Sequence, residues 1–438
     1  MTAAYVEEFT ELSRNGASAE PAWLRETRRA GIEKFAELGF PTPRNEDWHF
    51  TSVAPIAESV FSPLRGTSGE IDRSALEPFT FAQRDWPLLV FVNGRHDAGL
   101  SSLGALAKGV RVTDLASAMR SEPALIEPYL GKLSPLDGRS FSALNAAFMS
   151  DGAVIHIAPD TEAPVPLHVI FVSDSSAAKG VAHLRNLIIA GRHSKTTVIE
   201  SYVSLGDSHY FTNAVTEVKV DAGATLAHYK IQRESERAFH VHTIDAQQAR
   251  DSHYVSFSFA TGAALSRTNI YTNLDGEGCG ATLNGLYMAD GEQHMDHQTN
   301  IVHAQPNCFS REIYKGILSG SAHGVFNGKV YVYPIAQKTD GKQTNNNLLL
   351  SEHARIDTKP QLEIFADDVR CTHGATVGRL DEMALFYMKS RGVSADRATR
   401  LLTYAFAADV LETIEVEAVR TELERATLER FTGATAAE

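Results

Sequence analysis

Apolar residues recur along this chain with two periods, and the switch between them divides it. In residues 3–38 the spacing is helical: Val6, Phe9 and Leu12 share one face, and Pro21 opens a second helix carrying Leu24, Ile32, Phe35 and Leu38, closed by Gly39. The segment Pro41-Thr-Pro-Arg-Asn-Glu-Asp-Trp-His-Phe50 holds too much proline for a helix interior and carries a large aromatic, which predicts an ordered loop packed on the domain. Residues 51–150 mix short strands such as Pro87-Leu-Leu-Val-Phe-Val92 with helix-like stretches such as Val112 to Met119, the pattern of an α+β cap. From about Gly152 to His373 helical periodicity nearly vanishes. Strand-like runs such as Ala153-Val-Ile-His-Ile157, Leu167-His-Val-Ile-Phe-Val172 and Thr197-Val-Ile-Glu-Ser-Tyr-Val203 replace it, bounded by Gly, Asn and Asp turns. The helical period then returns. Asp381 N-caps a helix with Leu385 and Met388, and Ser394 caps another whose Leu401, Leu402, Ala405, Phe406, Val410 and Leu411 form a broad apolar face. Glu415 to Phe431 reads as a charged amphipathic helix, with a frayed tail from Thr432 to Glu438. The divisions are 1–150, an N-terminal helical or α+β cap; 151–374, a β core; and 375–438, a C-terminal helical domain.

Within the β region a small-residue turn leading into a strand recurs: Ala222-Gly-Ala-Thr-Leu226, Thr261-Gly-Ala-Ala-Leu265, Cys279-Gly-Ala-Thr-Leu283 and Ala322-His-Gly-Val325. Steps of 39, 18 and 42 residues between the last positions fit multiples of a unit near 20, the length of one coil of a parallel β-helix. At that length the region holds about 11 coils in a rod about 50 Å long. A sandwich or barrel also spaces strands regularly but calls for tight two-residue hairpins, and Asn-Gly occurs only at Asn15, in the helical region, and at Asn93, Asn284 and Asn327. A rod has two open ends with unpaired backbone, to be covered by the flanking domains or used for association.

Composition narrows the function classes. With 438 residues, 43% of them apolar, the chain can bury a substantial core. A net charge of −13 without a dense Lys/Arg block argues against nucleic acid or an anionic membrane as partner. The three cysteines, Cys279, Cys308 and Cys371, fit neither a CxxC pair nor a disulfide framework, so reduced thiols in a cytoplasmic protein are expected. The acidic start and the lack of a long apolar run predict neither a signal peptide nor a membrane span.

The densest chemistry lies in Asp367-Asp368-Val369-Arg370-Cys371-Thr372-His373-Gly374-Ala375-Thr376-Val377-Gly378. Two residues apart, Cys371 and His373 point from one face of an extended strand, at the expected junction of sheet and helix. Thiolate and imidazole suit iron or zinc, but two ligands leave a tetrahedral site half filled. The alternative is a small buried thiol beside a hydrogen-bonded histidine. Cys279 and Cys308 read as core or turn residues, His240 and His242 as one strand face, and His294 and His297 as opposite faces. Gly324-Val-Phe-Asn-Gly-Lys329 and Asp340-Gly-Lys-Gln343 lack the spacing and hydroxyl of a phosphate loop, so no ATP is expected to bind this chain. Asp367 and Asp368 face opposite sides of a strand and do not make an acid–base pair.

The segment around Cys371, with Lys359-Pro-Gln-Leu-Glu-Ile364 and Leu385-Phe-Tyr-Met-Lys-Ser-Arg-Gly392, resembles the SufD family of iron–sulfur cluster assembly proteins. The resemblance extends through Asn45-Glu-Asp-Trp-His-Phe50, Ala143-Leu-Asn-Ala-Ala-Phe148, Tyr314-Lys-Gly-Ile317, Val325-Phe-Asn-Gly-Lys329, Ala336-Gln-Lys-Thr-Asp340 and Asn347-Leu-Leu-Leu-Ser351. It implies a mainly β fold, a right-handed parallel β-helix flanked by an N-terminal α+β/helical domain and a C-terminal helical domain. It also implies a scaffold subunit of the SUF system rather than a free-standing enzyme. Such a subunit pairs with SufB through the β-helix, binds the ATPase SufC through the C-terminal helices, and forms a homodimer when isolated. Cys371 and His373 match the SufD positions implicated in a nascent, transient iron–sulfur cluster site shared with SufB. Phe386, Leu401, Phe406 and Val410 are the candidate ATPase contacts. Reduced flavin is a further implied component of the complex, although the sequence has no dinucleotide fingerprint. Competing readings are a β-helix enzyme acting on polysaccharides, which needs Asp, Lys or Arg clusters on successive coils, and an interaction scaffold without a metal role.

Overall fold

The computed structural model describes residues 2–16, 20–59, 61–64 and 71–430. Its centre is a parallel β-helix of two facing sheets. From Ala153–Ile157 onward, strands alternate between the sheets, so each strand pairs in parallel with the strand two places before and after it. Eight parallel strands stack in each sheet, giving eight turns. Register is held throughout: Thr225 lies beside His253, His253 beside Gly280, Gly280 beside Phe309, Phe309 beside Asp340, and Asp340 beside Arg370.

A coil is longer than the expected 20 residues. Equivalent positions are 26 apart between Phe239 and Leu265 and 33 apart between Val154 and Leu187, the two extremes. The small-residue turn occurs at both corners of the coil, which explains the misreading. Leu226 and Leu283 lie in one sheet, Leu265 and Val325 in the other, so two interleaved series were counted as one. Eight strands rather than eleven make a rod about 35 Å long.

The ends are treated differently. At the first turn, residues of the N-terminal region extend both sheets: Leu88–Val92 pairs in parallel with Leu167–Ser173, and Val110–Asp114 runs antiparallel to Ala153–Ile157. The stretch 112–119, expected as helix, is split by Asp114, which ends that strand and caps the helix Leu115–Ser121 by accepting from Ser117 N at 2.7 Å. At the last turn, Arg355–Ile364 and Arg370–Gly378 each pair on one side only. The C-terminal helices do not cover this end. Ala395–Leu411 and Glu417–Arg430 lie along the side of the rod, where Ala407, Val410, Leu411, Val419 and Leu423 bury against Ile231, Phe257, Phe259, Leu286, Met288 and Ile317. Asp381 and Ser394 cap their helices as expected, accepting from Met383 N and Arg397 N. The expected frayed tail lies outside the described residues. No described helix is long and apolar enough to cross a membrane.

The N-terminal helices Thr2–Gly16 and Ala22–Leu38 pack with the wholly buried Ser140–Phe148 on the outer face of the other sheet. A buried polar clamp fixes them there. Asn145 donates to Leu184 O at 2.7 Å and Asn213 O at 2.9 Å. Arg185 donates to Asn145 Oδ1 at 3.2 Å and pairs with Glu217 at 2.9 Å, and Glu217 also accepts from Gly131 N, Leu133 N and Ser134 N. The loop around Trp48 docks similarly: the Arg267 guanidinium lies 3.7 Å from the Trp48 ring centroid, donates to Asp47 O and pairs with Asp296 at 2.6 Å.

Both Arg185 and Glu217 side chains are fully buried. Replacing Arg185 by Ala leaves the carboxylate without its counter-charge and should cost about 3–5 kcal/mol. Urea unfolding monitored by circular dichroism measures this, with Lys108→Ala on the surface as the unaffected reference.

Candidate functional site

The last strand of the solenoid, Arg370–Gly378, carries Cys371 and His373. They stand near its start, not where the sheet gives way to helix: pairing with Asp340–Leu349 carries the chain through Gly374 to Gly378 despite the poor strand propensity of glycine. Cys371 is in register with Gly341 and His373 with Gln343, so both face the interior between the sheets. No coil lies above them. Cys371 is half-buried against the core, while His373 is exposed at the mouth of the rod.

The absence of a side chain at Gly341 makes room for the thiol, since a Cβ there would lie 3.3 Å from Cys371 Sγ. Burial pushes the Cys371 thiol above its ordinary value and the Asp340 carboxylate adds to this, against a hydrogen bond to the Gly341 backbone. The protonated form of the thiol is favoured accordingly.

Beneath the pair lies a polar floor that the sequence reading missed. Gln343 donates to Glu312 Oε2 at 2.6 Å, and Glu312, fully buried, is pushed up to about 7 by burial, against hydrogen bonds from Thr299 and Gln343. Asn347 donates to Asn345 Oδ1 at 2.6 Å, Thr358 reaches the same oxygen from the facing sheet at 2.8 Å, and Tyr287 OH donates to Asn347 Oδ1 at 2.6 Å. The alternation Gln343, Asn345, Asn347 was the available signal: three amides on one strand face. Among the described residues no group of three or more His, Cys, Asp or Glu side chains is arranged to hold a metal ion. Cys371 and His373 are brought together, and their two donors are half of a tetrahedral shell. His240 and His242 share one face as expected, and both are fully buried; His294 and His297 take opposite faces: His294 meets Thr51 on the outside at 2.9 Å, while His297 stacks on Tyr287 within.

The four candidate docking residues separate. Phe386 is 68% exposed and Leu401 39%, near Met383 at 73% and Tyr387 at 59%. Val410 is fully buried in the interface between helix and sheet, so it is corrected from a docking residue to a core residue. Phe406 is likewise engaged: Lys315 Nζ sits 4.5 Å from its ring centroid and donates to Phe406 O at 2.7 Å. Both point toward the rod because one helix face must cover the sheet's apolar side.

The class of protein the structure defines is a parallel β-helix with one covered end and one open end, carrying a thiol and an imidazole at the open mouth. The SufBD core domain of the SUF system for FeS cluster assembly matches residues 171–406, and the SufBD N-terminal region matches residues 1–169. This chain belongs to the SufBD family. It is 33% identical to the iron–sulfur cluster assembly protein SufD of Escherichia coli (strain K12) over 90% of this chain and 89% of that protein. Identity is 32% to a SufBD family protein of Synechocystis sp., over 93% and 91%, and 29% to SufD of Bacillus subtilis (strain 168), over 96% and 95%.

Because burial raises the Cys371 thiol, its alkylation by iodoacetamide in the folded chain should be slower at pH 7.5 to 8.5 (roughly the range bracketing a free thiol) than that of a cysteine peptide, with a midpoint displaced to higher pH. Mass-resolved alkylation rates across pH test this; a midpoint below that of the peptide contradicts it.

Proposed function

We propose that this chain is a non-catalytic scaffold subunit of cytoplasmic iron–sulfur cluster assembly that contributes half of a cluster-building site and takes the rest from a SufB-type partner. The supporting observation is the position of Cys371 and His373 on the last strand, whose outer edge is unpaired, at the mouth of the rod. The edge strand Arg370–Gly378 offers free backbone groups for β-augmentation, whereas Pro360 interrupts the donor row of Arg355–Ile364. A partner's last coil laid against this edge brings its own donors over Cys371 and His373. The nascent cluster is cargo, held while both subunits face it and released when they separate. A SufC-type ATPase docks on the exposed apolar side of Glu382–Ser390, through Met383, Phe386 and Tyr387, with Leu401 beside them. Deleting the helices would uncover the side of the rod, so point substitutions are the cleaner probe.

Cys371→Ser and His373→Ala should abolish cluster accumulation on the co-purified complex while leaving subunit association intact, because a hydroxyl is a poor soft-metal ligand of nearly the same volume. Iron and acid-labile sulfide assays with size-exclusion chromatography read the two properties separately. Normal cluster content in both variants favours a scaffold without a metal role, and a stable cluster on the isolated chain overturns the shared site. Phe386→Asp with Tyr387→Asp should reduce ATPase capture at least about tenfold, as expected for the loss of a central aromatic anchor, without lowering the thermal midpoint.

A further inference from the structure

Cys279 and Cys308 occupy the same corner of two successive coils. Each directly precedes a strand, Gly280–Ala289 and Phe309–Leu318, and the register of Gly280 with Phe309 stacks the two cysteines. The ladder runs through them: Phe309 N donates to Cys279 O at 3.0 Å. In-register neighbours in parallel strands lie about 4.8 Å apart at the backbone, inside the roughly 4.4–6.8 Å range that a disulfide spans. Both are free, buried thiols that donate to the backbone of the turns beside them, Cys279 to Ala249 O at 3.0 Å and Cys308 to Gly276 O at 3.3 Å. Neighbouring coils fill this corner with Ala224, Ser252 and Thr339, so packing asks only for a small residue and not for adjacent thiols.

We propose that Cys279 and Cys308 form a redox-active dithiol that closes to an intramolecular disulfide across adjacent coils, with a peroxide as oxidant. Adjacency of the two thiols activates the pair: Cys308 beside it holds the Cys279 thiol below its ordinary value, while Cys308 itself is pushed up. The Cys279 thiolate attacks one peroxide oxygen, the O–O bond breaks, and the departing hydroxide takes up a proton, leaving a sulfenic acid. The Cys308 sulfur then attacks the sulfenic sulfur, the S–S bond forms, the S–O bond breaks, and the Cys308 proton leaves with the hydroxyl as water. Two thiols and one hydrogen peroxide give one disulfide and two waters. Local adjustment is available at Gly278, with φ +74°, and at Gly280 on either side of Cys279. The corner is close to solvent, since Asp275 and Asn307 just upstream of the two thiols are exposed. The pair is separate from Cys371 and independent of the assembly role proposed above.

The test treats the full reduced chain with hydrogen peroxide, blocks remaining thiols with N-ethylmaleimide under denaturing conditions, and maps peptides by mass. Two of the three thiols should disappear into one linked pair containing Cys279 and Cys308, two hydrogens lighter than the separate peptides and restored by dithiothreitol. Cys279→Ser and Cys308→Ser should lose the link, and Cys371→Ser should keep it. Mapping of the wild-type chain decides even if a serine variant misfolds. Oxidation of Cys371 while Cys279 and Cys308 remain free, or separate oxidation of the two to sulfinic acids without a link, overturns the proposal.

Discussion

In-register stacking of parallel strands is the constraint on which the rest of the molecule depends. Each coil satisfies the backbone of the one below and presents the same demand to the one above, so the ladder ends only where something other than another coil takes over. At the first turn the N-terminal region does so with strands of its own. At the last turn none of the described residues does, and the two end strands keep one unpaired edge each. A thiol inside any other coil would be sealed between neighbours. At the mouth it keeps a packed flank and an open one.

Stacking also concentrates chemistry inside. Lys230, fully buried, donates to Gln232 Oε1 at 2.8 Å and Thr268 Oγ1 at 3.0 Å, and burial brings it down to about 7, opposed by Glu234 and Glu200. Glu200 accepts from Tyr202 at 2.8 Å and Thr216 at 2.9 Å and lies 3.3 Å from His228. His240 pairs with Glu234 at 2.7 Å. Such groups are tolerated because every inward residue has a neighbour directly above, below and across, so partners are always one coil or one sheet away.

Much of this was legible in the sequence, and the omissions have physical causes. Period-two alternation marked the strands, Pro21, Gly39, Asp381 and Ser394 marked helix ends, and the Cys371 and His373 spacing marked a shared face. Coil length was hidden because both corners use the same small-residue turn. The final strand was undercalled because Gly374 and Gly378 resist extended structure in isolation and hold it only against Asp340–Leu349. Amides at Gln343, Asn345 and Asn347 show their role only once the facing sheet supplies Thr358. Helical periodicity gave one apolar face for 395–411 but not its contact, so Val410 and Phe406 were assigned outward when the rod itself was their partner.

The buried polar ladder has a bearing on how this protein can change over generations. A solenoid held together only by aliphatic side chains can lengthen or shorten by whole repeats, since any coil fits on any other. Here Lys230 bonds to Thr268 in the facing sheet, Thr216 to Glu200, and Gln343 to Glu312 on the coil below, so each coil is addressed to particular neighbours. Removing or duplicating one would strand charges on both sides of the scar. The repeat is architectural while the contents are individual, and the number of turns is thereby frozen, as is the distance from the covered end to the mouth.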